Sequence, residues 1–470
     1  MATPTPAYRV SLRIDLPATT AGASEIVATA AGTGALVTGL DVAASDGGSL
    51  VVDLTCDTRD SEHRTELVRV LEALPDVHVR TVGDATFLAH VGGKLEIHAK
   101  MPLRNRSELA RIYTPGVARV CKAIYDTPAK ARQLTIKKNT VAVVTDGTAV
   151  LGMGDIGPLA AMPVMEGKAV LFKEFGNVDA WPVVLDTTDT EEIIRIVKAI
   201  APGYAGINLE DISAPRCFEI EARLREELDI PVFHDDQHGT AVVVLAALIN
   251  ALKVVGKRIE DVRIVVSGVG AAGHAIIRLL MAQGARDIVG YGRTGALHAG
   301  DVAGMNSHRK WLAENTNPRQ VTGTLQEGIV DADVFIGVSA GNILTEADIE
   351  RMADDAIVFA LANPTPEVDP SAAAERAAIV ATGRSDYPNQ INNVLAFPGI
   401  FRGLLDAAVS EISDELLRVA AIAIAECLED DELSPAYIIP GVFDHRVGRR
   451  VSRAVYQAAH EARDGATGTD

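Results

Sequence analysis

The segment Pro231-Val232-Phe233-His234-Asp235-Asp236-Gln237-His238-Gly239-Thr240 ends a short apolar run in two adjacent carboxylates. A second acid pair stands upstream in Asn208-Leu209-Glu210-Asp211. Apolar strands that deliver paired acids to their carboxyl ends make the oxygen-rich setting that a hard cation such as Mg²⁺ or Mn²⁺ requires. One Asp-Asp pair alone is more often a solvated turn, so the weight falls on the residues around it. A third stretch, Gly268-Val269-Gly270-Ala271-Ala272-Gly273, lies between an expected strand at 262–266 and an expected helix at 271–281, the context that makes a glycine loop a dinucleotide site. Gly268 permits the tight turn, Gly270 lets backbone approach a pyrophosphate, Gly273 lets helix pack on strand, and Ala271 and Ala272 open the helix whose N-terminus faces the phosphates.

The next strand, expected at 288–291, ends in Gly292-Arg293-Thr294. No carboxylate stands there to accept a hydrogen bond from a ribose 2′-hydroxyl. Arg293 and Thr294 are able to bind a 2′-phosphate, which favours NADP slightly over NAD, although an arginine at this place is also an ordinary solvated loop residue.

These residues need a scaffold, and 470 residues suggest about three domains at ~150 residues each. Residues 1–90 read as βαββαβ, with strands at 8–16, 35–43, 49–56 and 77–82 and helices at 24–31 and 62–74. Residues 91–238 carry the acids, with strands expected at 140–144, 169–172 and 182–185 and helices at 191–200 and 217–228. Residues 239–470 begin with small apolar helix formers to residue 255 and continue into the glycine loop. The fold class is α/β: a Rossmann-like dinucleotide-binding domain, a catalytic domain and an N-terminal ferredoxin-like βαββαβ domain.

Composition excludes several classes. A formal charge of −19 opposes nonspecific nucleic-acid binding, and no apolar run reaches the ~20 residues of a membrane span. Residues 1–9 show no basic region followed by an apolar core. Cys56, Cys121, Cys217 and Cys427 have no C-x-x-C spacing and read as reduced thiols of a cytoplasmic protein. An anionic substrate must be met by local positive charge, which a divalent metal and a buried lysine would supply.

Further stretches, taken in order, resemble the malic enzyme family: Tyr113-Thr114-Pro115-Gly116-Val117-Ala118, then Val144-Thr145-Asp146-Gly147-Thr148-Ala149-Val150-Leu151-Gly152, residues 163–171 with Lys168, Glu210-Asp211, the Asp235-Asp236 segment, Phe359-Ala360-Leu361-Ala362-Asn363-Pro364-Thr365 and Gln390-Ile391-Asn392-Asn393-Val394. The resemblance runs through most of residues 100–460, whereas residues 1–95 lie outside it and are similar in element order to the ACT domain, a ligand-sensing module. It implies a malic-enzyme catalytic domain with Tyr113 as proton donor, Lys168 as base, Asp235 orienting that lysine, and Glu210, Asp211 and Asp236 as metal ligands. It also implies that Asn363 and Asn393 contact substrate or the nicotinamide side of the cofactor. One departure is Ala149, where larger family members carry an arginine that grips a substrate carboxylate; the shorter bacterial-type members lack it too.

The implied reaction is oxidative decarboxylation of malate to pyruvate and CO₂ with reduction of NAD or NADP and a need for Mg²⁺ or Mn²⁺. As a base, Lys168 needs a pKa well below ~10.4, and its apolar run and a nearby cation are expected to depress it. Two other classes remain: a malate dehydrogenase or decarboxylase without the coupled outcome, and a ligand-sensing protein on a degenerate enzyme body. Open sheet edges in residues 1–90 point to a homodimer or higher homo-oligomer, with a small-molecule effector near the turn at 16–23.

Overall fold

The computed structural model describes residues 3–19, 22–150 and 152–467. Leu151 of the sequence motif, and Thr20 and Ala21 of the expected effector turn, lie outside the described residues. The chain divides into two compact units, Met1–Ile97 and His98–Asp470.

The first unit has strands β1 (Thr5–Pro17), β2 (Leu36–Ser45), β3 (Ser49–Thr58) and β4 (His78–Asp84), with helices Gly22–Gly32 and Ser61–Glu72. The antiparallel sheet runs β2-β3-β1-β4. Alternation explains it: Val10, Leu12, Ile14 and Leu16 face Val52, Leu54 and Cys56 and the helix residues Ile26, Leu67 and Leu71 in one core. The alternate positions carry cross-strand ion pairs such as Arg13 with Asp53 at 2.7 Å. Leu36 and Val42 on the edge strand are 56% and 60% exposed. After β4 the chain forms a short helix, Ala85–His90, and turns through Gly92 and Gly93, both at positive φ. The first compact unit runs to Ile97.

The second unit holds two parallel sheets. One contains β5 (Thr140–Thr145), β6 (Asp179–Val184), β7 (Gly206–Leu209) and β8 (Val232–His234) in the order β6-β5-β7-β8. The other contains β9 (Arg263–Ser267), β10 (Asp287–Gly292), β11 (Gly295–Ala296), β12 (Val334–Gly337), β13 (Ile357–Ala360) and β14 (Ile379–Thr382) in the order β11-β10-β9-β12-β13-β14. All its strands are parallel except the short β11. Strand order reverses between β9 and β12, the switch point where doubly wound sheets open a crevice.

One expectation fails. The strand at 169–172 is instead part of a helix, Gly157–Gly176. Its buried residues Ala161, Met165, Lys168, Ala169 and Phe172 recur at three- and four-residue spacing, and the short apolar run was one stripe of that helix. At 238/239 the chain passes between the two sheets without a loop, because a π-helical turn, Asp235–Gly239, runs straight into the helix Thr240–Val255. That helix is apolar on nearly every side because Ala241 to Leu248 are all buried, which makes it the spine joining the two sheets.

Candidate functional site

Parallel pairing of β7 with β8 places Leu209 beside His234, so the two acid pairs that follow emerge side by side. Asp211 adopts φ +53, and its N–H donates to Asp236 Oδ2 at 2.9 Å. Oxygen atoms of Glu210, Asp211 and Asp236 lie within 4.8 Å of one another. Glu210 and Asp211 are each 6% exposed, and Asp211 Oδ2 is buried without a hydrogen-bond partner. Burial, reinforced by Asp236, pushes Asp211 up to about 8. Burial also raises Glu210, with Lys168 opposing and Asp236 adding to the rise. Three crowded oxygen ligands, one with an orphaned buried oxygen, fit a hard divalent cation, which would relieve the repulsion that raises these acids.

Lys168 points from the buried face of its helix into the same cluster. Its Nζ lies 2.5 Å from Asp235 Oδ2 and 2.9 Å from Glu210 Oε1, and 4.1 Å above the Phe397 ring. Burial alone would lower its pKa, but the two carboxylates outweigh burial and raise it. The expected depression assumed a cation beside the lysine; among the protein's own groups the two carboxylates dominate. Asp235 also accepts from Asn393 Nδ2 at 2.9 Å, and Asn393 Oδ1 accepts from Thr240 Oγ1 at 3.2 Å. A Cβ on Gly239 would sit 2.0 Å from Asp235 Oδ1, so only glycine allows this carboxylate its place.

Tyr113 does not join this group. It caps the helix Arg106–Ile112, is 67% exposed and makes no hydrogen bond to the acids or Lys168 among the described residues. Asn363 is exposed as well; its carbonyl packs on Gly152, where a Cβ would come within 2.6 Å of it.

The glycine loop lines a cleft of about 850 Å³ together with Arg293 and Thr294. Gly268 has φ +101, and a Cβ there would meet Val338 O at 2.5 Å; a Cβ on Gly273 would lie 1.7 Å from Gly268 O. At Gly270 an added Cβ meets nothing within 4 Å, and the helix Ala271–Ala282 has no side-chain cap. Open space before an uncapped helix N-terminus is an anion site, and a pyrophosphate fits it.

Several contributors were not singled out from sequence. Asn208 Nδ2 donates to Glu210 Oε2 at 2.8 Å; its place two residues before an acid on a strand, hence on the same face, was a usable signal. Phe397 and Arg309 had none, being remote in sequence from what they touch. Arg309 also lines the cleft, its Nη2 is 2.5 Å from where a Gly292 Cβ would be, and its Nε is buried without a partner. Glu367, fully buried, accepts from Ser339 N–H and Ala362 N–H at 2.9 and 3.0 Å and ties together the loops after β12 and β13.

Comparison with known proteins gives concordant results. The family model "Malic enzyme, N-terminal domain" matches residues 92–225, and "Malic enzyme, NAD binding domain" matches 237–460. The chain is 55% identical over 454 residues to an NAD-dependent malic enzyme of Geobacillus stearothermophilus, covering 97% of this chain and 95% of that protein. An alignment of that span takes in most of the unit Met1–Ile97. It is 45% identical to an NADP-dependent malic enzyme of Escherichia coli, covering 79% of this chain and 51% of the relative. A solved malic enzyme structure from Pyrococcus horikoshii superposes with a TM-score of 0.76 at 50% identity, covering 79% of this chain and 87% of that one.

Proposed function

The chain belongs to the malic enzyme family, and we propose that it converts malate to pyruvate and CO₂ while reducing NAD or NADP, at the cluster of Lys168, Glu210, Asp211, Asp235 and Asp236. The observation that carries this reading is a buried lysine held between two carboxylates beside three crowded acid ligands. Mg²⁺ or Mn²⁺ held by Glu210, Asp211 and Asp236 would polarise the C2 oxygen and offset charge on the enolate left by decarboxylation.

The protein's own residues handle the protons. As hydride leaves C2 for the nicotinamide, the C2 hydroxyl proton must pass to Lys168 Nζ. An ammonium gripped by two carboxylates cannot accept it, so Lys168 acts as base only when one partner turns away. Glu210 belongs to both the lysine and the acid cluster and is that partner, while Asp235, anchored by Asn393, keeps Nζ in position. After CO₂ departs, Lys168 returns the proton to the C2 oxygen. The resulting enol then takes a proton at C3 from the Tyr113 phenol while its hydroxyl proton goes to Lys168, which restores the tyrosine.

Steady-state kinetics with malate, Mn²⁺ and each nicotinamide cofactor in turn test the reading. Reduced cofactor and CO₂ should appear in equal amounts. Reduced cofactor without CO₂ would leave a plain dehydrogenase. For Met1–Ile97 we assign a role in subunit pairing and effector sensing. Its exposed edge residues Leu36 and Val42 support the pairing, and truncation before Gly92, followed by mass in solution and kinetics with a metabolite panel, tests both.

A further inference from the structure

Glu367 is a buried acid that the proposed chemistry does not use. The cofactor-side sheet is shaped around it: a Cβ on Gly337, the last residue of β12, would sit 2.3 Å from its carboxyl carbon. Its Oε1 accepts from Ser339 N–H at 2.9 Å and from Ser339 Oγ at 3.4 Å, and its Oε2 accepts from Ala362 N–H at 3.0 Å. Donors on both oxygens suit an anion, while burial opposes them and raises the pKa above the ordinary value. A counter-charge is what this carboxylate lacks. Among the described residues every other buried acid, Asp211 of the acid cluster apart, has a lysine, arginine or histidine in ion-pair reach, as Asp146 has Arg216 at 2.7 Å and Asp57 has Arg9 at 2.6 Å. Glu367 has only neutral donors, and a buried charge without a partner is costly.

Its place in the fold says where positive charge arrives. Ser339 lines the cofactor cleft with Ser267 and the glycine loop, and its Oγ lies 3.0 Å from Ser267 Oγ. Glu367, Ser339 and Ser267 therefore bridge the ends of β9 and β12 at the switch point. A dinucleotide lies across that crevice with one nucleotide on each half of the sheet. The glycine loop after β9 suits the pyrophosphate and Arg293-Thr294 after β10 the adenosine side. The nicotinamide half then falls to the loops after β12 and β13, the two that Glu367 ties together. A nicotinamide ring carries a full positive charge when oxidised and none when reduced.

We propose that Glu367 is the counter-charge of the oxidised nicotinamide, acting through the Ser339 wall of the cleft, and that it sets the preference of this cleft for oxidised over reduced cofactor. The proposal rests on the malate-oxidising reading, in which the oxidised form must enter and the reduced form must leave. Glu367 does not line the cleft itself, so it is a positioning residue, held by backbone N–H groups where its charge faces the ring. A unit charge behind one residue of wall, at an effective dielectric of ~20, shifts the ratio of the two dissociation constants by on the order of tenfold.

Equilibrium titration tests it. Kd for NAD⁺ is measured by calorimetry and Kd for NADH by dihydronicotinamide fluorescence, on full-length wild type, Glu367→Gln and Glu367→Asp. Glu367→Gln removes the charge and should weaken NAD⁺ relative to NADH by about tenfold. Glu367→Asp keeps the charge and should hold the wild-type ratio even where looser loops weaken both forms. Loosened loops alone move both Kd values together, so a wild-type ratio in Glu367→Gln, or the Gln ratio in Glu367→Asp, overturns the proposal. One measurement needs no variant to fold: benzamide adenine dinucleotide, planar like NAD⁺ but uncharged in its ring, should bind wild type about tenfold more weakly than NAD⁺. Equal binding of the two overturns the proposal. Wild type that shows these ratios but leaves malate unconverted sinks the activity reading alone and keeps the role of Glu367.

Discussion

Replacing Gly270 by alanine separates cofactor recognition from folding. Gly270 has φ −87 and ψ −151, a backbone open to any residue, and an added Cβ would meet nothing within 4 Å. Stability should therefore stay within about 0.5 kcal/mol of wild type. The empty space in front of it is where the pyrophosphate is expected, so the methyl group would hold phosphate away from the helix N-terminal N–H groups. Losing one charge-assisted hydrogen bond there costs roughly 1.5–3 kcal/mol, or about a ten- to hundredfold weaker cofactor. Gly273→Ala is the counterpart: its Cβ would sit 1.7 Å from Gly268 O, so backbone must move at a cost of about 1–3 kcal/mol. Cofactor titration by fluorescence and Tm by calorimetry read the two effects separately. If Gly270→Ala binds NAD(P)H as tightly as wild type, the pyrophosphate does not lie on this loop.

Lys168→Ala should lower kcat by on the order of 10²–10⁴ with little change in cofactor Kd; a kcat near wild type would remove it as the base. Asp236→Ala should abolish metal-dependent turnover and weaken Mn²⁺ binding in calorimetry, and unchanged affinity would take Asp236 out of the ligand set. Arg293→Asp and Arg309→Ala should each shift the NADP to NAD ratio of kcat/KM toward NAD, about tenfold for loss of one phosphate contact; a fixed ratio would place selectivity elsewhere. His274 packs against Phe218, His308 and Trp311, and burial lowers its pKa from 6.5 to about 4. Between these values the unfolded chain binds the extra proton, so stability falls as pH drops from about 6.5 toward 4, by no more than about 3 kcal/mol. His274→Phe should flatten that part of the Tm-against-pH profile, and parallel profiles would assign the acid sensitivity to other groups.

Much of the scaffold was legible because period and punctuation agree. Strict alternation in 10–16 and 52–56 marks half-buried strands. The Lys168 helix was not legible over its full length, because four residues from 169 to 172 are too few to distinguish a strand from one stripe of a helix. Parallel strands carry acids to a common end, so the meeting of Glu210 and Asp211 with Asp236 follows from topology. The contact of Glu210 with Lys168 does not, since it depends on how a helix from one crossover lies over two strand ends. Phe397 and Arg309 reach their places from far along the chain, and no local pattern announces them.

The raised pKa of Lys168 among its carboxylates shows why residue type is an incomplete guide to a site's electrostatics. Burial in an apolar helix face argues for a neutral amine, but burial is also what strengthens attraction to Asp235 and Glu210. Which effect wins depends on the number of carboxylates within reach, and here two outweigh burial. The same two acids have separate ties: Asp235 to Asn393, Glu210 to Asn208 and the three-acid cluster. In the proposed mechanism, holding one partner fixed while the other is shared with the acid cluster would link the lysine's readiness as a base to occupancy of that cluster by a cation. A sequence displays the lysine and the acids; only their distances show that one acid serves both.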